Sequence, residues 1–174
     1  MLALGGTNTG IWKFFLVCHI LVAIVGLGSV MLNGIYAAQA QKRPGPAGRG
    51  ASEVNYFVSN IGEYFIYLIP VFGVLLVIFS NKGIKFSNTF VWMALALYFV
   101  AIAISHAVMF PGHKKINKLL LEMEQAPAPT GGVEAPPQVA EIQAIGKKMA
   151  PAGMALNLIV VVILFLMVWR PGLG

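Results

Sequence analysis

The sequence predicts an all-α integral membrane protein, an up-and-down bundle of four transmembrane helices. Three observations predict it. Apolar residues gather into four runs, 11–37, 57–80, 88–110 and 152–169, each near or above the ~18–20 residues that cross a bilayer as a helix. Charged residues make up only 10% of the 174-residue chain against 58% hydrophobic, where an average soluble domain carries about 25% charged residues. The charges that remain sit mostly at the ends of the runs. A single membrane domain over residues 1–174 is expected. Residues 111–150 are expected to form a cytoplasmic linker, too polar and too rich in proline to build a core of their own.

The first helix is expected to start at the cluster Thr7, Asn8, Thr9, Gly10, which offers N-cap side chains. Trp12 and Tyr36 stand near its two ends, as an aromatic belt requires. Ala38-Gln39-Ala40 has the form of a signal-peptide cleavage site. The apolar stretch is nevertheless far longer than the ~7–15 residues of a signal peptide, and residues 1–10 contain no basic side chain. The run therefore reads as a retained span. It contains the only cysteine, Cys18, which reads as a small apolar packing residue. Lys42-Arg43-Pro44-Gly45-Pro46 breaks the chain after it.

The second helix carries Pro70 in its middle, which removes one backbone hydrogen bond and predicts a kink. The short turn Ser80-Asn81-Lys82-Gly83-Ile84-Lys85 predicts that the second and third helices pack as antiparallel neighbours. The third helix is expected to end near Pro111-Gly112. An amphipathic helix follows over 114–124, basic at its start and suited to a membrane surface. Residues 125–137, rich in Ala, Pro and Gly, are expected to be disordered. A helical pattern resumes at Gln138 and leads through Pro151 into the fourth span. No internal repeat marks an inverted-repeat transporter.

The charge of +6 is not that of a nucleic-acid binder, because the basic residues form no face or stripe. They are topology signals. The first and third connections hold Lys42, Arg43, Arg49, Lys114, Lys115, Lys118, Lys147 and Lys148; the other side holds Lys13, Lys82, Lys85 and Arg170. Eight against four places both termini on the outer side of the plasma (inner) membrane.

Function is expected at the polar residues inside the runs, His19, Glu63, His106 and Asn157, because an ionisable group is costly to hold in lipid. From His19 one helical face reads Ala23, Gly26, Val30, Asn33, small enough to pack against another helix. On the second helix Asn60, Glu63, Tyr64 and Tyr67 form a stripe. On the third, Phe99, Ile102, Ala103 and His106 align, with His113 continuing beyond Pro111. Glu63 lies about 9 Å inside the start of its span and His106 about 6 Å inside the end of the next, at the helical rise. The matching depths predict a Glu63–His106 pair with Tyr64 or Tyr67 as a further partner, read either as glue between helices or as a proton relay. His19 and His106 are separated by about 15 Å along the membrane normal, too far to ligate one iron together. No nucleophile–base set, phosphate loop or His-Glu-x-x-His occurs, and the chain has no aspartate.

The first helix, Trp-Lys-Phe-Phe-Leu-Val-Cys-His-Ile-Leu-Val-Ala-Ile-Val-Gly-Leu-Gly-Ser from Trp12 to Ser29, resembles the opening helix of a family of small bacterial integral membrane proteins of unknown function. The four-span layout and the basic stretch after the third span are similar too. The general plan is similar to the copper-resistance-D-like and protoporphyrinogen-oxidase-like four-helix proteins. That likeness implies His19 as a haem ligand. Three functions stay open: an accessory or scaffolding subunit with membrane-protein partners or a homo-oligomer, a haem-binding redox or oxidase-like protein through His19, and a small proton-coupled transporter through Glu63 and His106.

Overall fold

A computed structural model describes residues 6–43, 46–125 and 136–173. The expected disorder over 125–137 falls largely outside the described residues. Among those described there is no strand. The helices are α1 (Gly10–Lys42), α2 (Pro46–Ile78), α3 (Thr89–Ile104), α4 (Phe110–Gln125) and α5 (Pro137–Trp169). A π turn, Ser105–Met109, joins α3 to α4 without a break, so four continuous rods result, each long and apolar enough to cross a membrane.

The rods are longer than the apolar runs. Each of α1, α2 and α5 has 33 residues, about 50 Å at the helical rise, against a hydrocarbon core of about 30 Å. The start of α2 departs from expectation: the helix begins at Pro46, not at residue 57. Pro46 stands in the first turn, where its missing N–H costs nothing, and the polar residues up to Tyr56 contain no helix breaker beyond isolated glycines. The third rod likewise passes through Pro111. A proline ring clashes with the carbonyl four residues back, and the wider π turn just before Pro111 relieves that crowding. The Phe110 N–H reaches back to the Ser105 carbonyl, five residues away.

Packing pairs α1 with α2 and α3 with α5. The tight turn between α2 and α3 does not make those two the closest neighbours. Small residues explain the first pair. A Cβ on Gly26 would lie 3.0 Å from the Ile66 backbone nitrogen, and one on Gly62 would lie 1.9 Å from Ser29 Oγ. Only glycine lets the two backbones approach this closely. The expected face of α1 therefore meets α2. Ser59 also donates to Asn33 Oδ1 at 3.0 Å.

The ends of the bundle differ. At one end Trp12, Leu76, Ile84, Phe90, Val91, Ala94 and Leu166 form a buried core. Trp12 Nε1 donates to the Leu76 carbonyl at 3.0 Å, capping a carbonyl near the end of α2, where the Ser80 N–H has turned to Val77. Thr9 caps α1, as the sequence predicts. At the other end the rods are joined by charges. Arg49 bonds Glu53 at 2.9 Å and also pairs with Glu124 of α4, while Lys115 meets Glu141 of α5 at 2.5 Å. These are called the Trp12 end and the Arg49 end.

Candidate functional site: a polar cluster beside an intramembrane cavity

Between the Arg49 end and the middle of the bundle lies a cavity of about 1040 Å³, walled by all four rods. Its deep wall is largely apolar, with Ile66, Ile102, Val160 and Ile163; its mouth carries Arg43, Arg49, Glu53 and Glu124.

Glu63 and His106 meet on the flank of this cavity. Counted from the Trp12 ends of their helices, Glu63 lies about 22 Å and His106 about 25 Å along the rods. His106 Nε2 is 3.3 Å from Glu63 Oε1. The hydroxyl of Tyr67 lies between them, bonded to Glu63 Oε1 and 2.9 Å from His106 Nε2. Of the two tyrosines in the stripe, Tyr67 joins the pair. Tyr64 lines the groove beside them and is 72% exposed. Helical spacing explains the geometry: Glu63 and Tyr67 are four residues apart on one face of α2.

The hydrogen bonds constrain the protons. His106 Nδ1 is 3.1 Å from the Ile102 carbonyl, which only accepts, so Nδ1 carries a proton. Tyr67 has one proton to donate. If it donates to a neutral His106, Glu63 must hold a proton to bond the phenol oxygen. If Tyr67 donates to ionised Glu63, His106 Nε2–H donates in turn and the ring is an imidazolium. The two arrangements have the same net charge and differ only in where one proton sits. Either arrangement satisfies the contacts that Tyr67 makes with Glu63 and His106.

His19 stands apart. Its Nδ1 donates to the Ile69 carbonyl of α2 at 3.0 Å, and the ring lies against Gly73, where an added Cβ would be 3.3 Å from Cε1. It lines neither of the two cavities described for the molecule. An interhelical hydrogen bond ties this residue to α2. Cys18 is free and half-buried. Among the described residues no three His, Cys, Asp or Glu side chains gather as a metal site.

His106 and His113 do not share a stripe in the way that straight helical spacing predicts. The π turn holds an extra residue, which rotates everything after it by roughly a quarter turn relative to an unbroken α-helix. Both line the cavity, but His106 also meets α2, while His113 has its Nε2 buried and unpartnered among the described residues. Asn55 Oδ1 and Asn157 Oδ1 are in the same condition and also line the cavity. Asn157 is visible in the sequence as a polar residue in an apolar run. Asn55 is not, because it lies ahead of the second apolar run.

Four apolar rods with ionisable side chains held inside them define a multi-pass integral membrane protein. The particular family follows from comparison: the model described as "Predicted integral membrane protein (DUF2269)" matches residues 13–171, and the chain belongs to that family. No curated protein and no solved structure matches it.

Proposed function

We propose that this protein is an accessory or scaffolding subunit of a larger assembly in the plasma membrane, docked to a partner or to a second copy along the α2–α3 seam. The carrying observation is the exposure of the Glu63–Tyr67–His106 cluster. Side chains of Glu63 and His106 are 26% and 48% exposed, and Tyr67 is 38% exposed, at a depth where lipid cannot solvate them. Beside them a shallow groove of about 470 Å³ is lined by Asn60, Glu63, Tyr64, Tyr67 and Phe110. A helix from a partner, seated there, would remove both the polar cluster and the groove from lipid. In this reading the Arg49 end faces the cytoplasm and both termini face outward, following the excess of basic residues in the first and third connections.

A photo-cross-linking residue placed at Tyr64 should capture protein in native membranes, and one at Leu158, exposed on α5, should not. A strictly monomeric particle after mild extraction, with only lipid adducts at Tyr64, counts against the reading.

A second reading, proton-coupled transport, is favoured by one further observation: the same cluster borders the large cavity, so a proton moving between Glu63 and His106 would change the charge at its wall. Flux driven by a pH gradient in proteoliposomes, lost in Glu63→Gln, is the expected result. Equal flux in wild type and variant removes this reading.

A further inference from the structure

We propose that the large cavity holds a phospholipid whose headgroup donates hydrogen bonds, of the ethanolamine or glycerol kind and not choline. Three observations point to it. The first is depth. Asn55 lies about 35 Å from the Trp12 end of α2, and His113 about 36 Å from that of the third rod, at the helical rise. A hydrocarbon core of about 30 Å starting at the Trp12 end would finish just short of both, so the two residues stand at headgroup level.

The second is the chemistry of the wall. Asn55 is 3% exposed, yet its Oδ1 has no partner among the described residues, and neither has His113 Nε2. Leaving a buried acceptor unpaired is costly. An amide oxygen needs a donor, which an ammonium or hydroxyl headgroup supplies and a trimethylammonium headgroup cannot. The third is shape. Beyond these residues the cavity continues toward mid-bilayer along Ile66, Ile102, Val160 and Ile163, and its mouth carries Arg43. An acyl chain fits the former, and positive charge near a phosphate suits the latter. Asn157 lies deeper, about 18 Å from its own Trp12 end, and takes no part.

The occupant enters from the leaflet at the Arg49 end and fills the space the four rods leave between them. It is therefore a structural ligand of the fold, and Glu63 and Phe110 line both its cavity and the groove on the α2–α3 flank.

The test uses the full chain, purified in mild detergent and presented with phosphatidylethanolamine, phosphatidylglycerol or phosphatidylcholine of identical acyl chains. Native mass spectrometry reads bound lipid and thermal unfolding reads stabilisation. Retention of either donor lipid should exceed that of phosphatidylcholine about tenfold, the equivalent of one rescued hydrogen bond. Preference for ethanolamine alone or glycerol alone supports the proposal and identifies the donor. Asn55→Leu should remain folded without lipid, because it removes the orphan group, and should lose the preference; His113→Phe provides the same reading if Asn55→Leu fails to fold. Equal retention of phosphatidylcholine, or an unchanged preference in the variant that folds, overturns it.

Discussion

The hydroxyl of Tyr98 on α3 lies 3.4 Å from the carbonyl of Ile66 on α2, and that carbonyl is the one Pro70 leaves without its helical partner. Proline at position i removes the N–H that would bond the carbonyl of i−4. The phenol supplies a donor from the neighbouring helix, as transmembrane proline sites require. Tyr98→Phe should therefore lower unfolding stability in detergent by about 1 kcal/mol. In a Pro70→Ala background, where the helix heals itself, the same change should cost almost nothing. Equal losses in both backgrounds, read by a double-mutant cycle, would show that the contact carries no energy.

Gly62, in the middle of the α1–α2 seam, should be hard to replace. A methyl there lands 1.9 Å from Ser29 Oγ and 2.6 Å from its Cβ. Gly62→Ala is expected to cost about 1–3 kcal/mol as overpacking. Ser29→Gly in the same chain should recover much of it, as seen in thermal unfolding of the pair against each single variant.

Gly112 gives the contrasting case. An added Cβ would lie 2.3 Å from Met149 Sδ, closer than any contact allows, but the obstacle is a flexible thioether that can swing aside. Gly112→Ala is expected to cost less than Gly62→Ala, and Met149→Ala should relieve what cost there is. The ranking is checked by the same melts on both alanine variants.

The polar cluster predicts strong coupling. Glu63→Gln and His106→Ala, made singly and together, should show an interaction of about 0.5–3 kcal/mol. Strictly additive losses would remove the contact. Tyr67→Phe should weaken the coupling, since it deletes the bridging hydroxyl while leaving the 3.3 Å approach of the pair in place.

The number of spans and the pairing of Glu63 with His106 were legible because both follow from depth along a helix, which sequence spacing measures directly. The face of α1 from His19 to Asn33 was legible for the same reason. The start of α2 was not. Hydropathy marks where a helix touches lipid, and residues 46–56 are helical without being apolar, so the run and the helix have different ends. The phase of His113 was hidden by a related limit: Pro111 reads as a terminator, and nothing in its neighbours announces that one π turn would absorb it. The closest helix pairs are a further feature that turn length does not reveal. A short connection brings α2 and α3 into sequence proximity, but the glycines at 26 and 62 decide which backbones can touch.

The π turn at Ser105–Met109 gives this chain an unusual relation to length change. A single residue deleted there would return the segment to ordinary helical winding and swing all of α4 by roughly a quarter turn, carrying Gly112 off Met149, Lys115 off Glu141 and Glu124 off Arg49. The third rod thus behaves as two lengths of thread cut with an offset between them. Its correct assembly depends on keeping the count of residues at one short place, whatever those residues are.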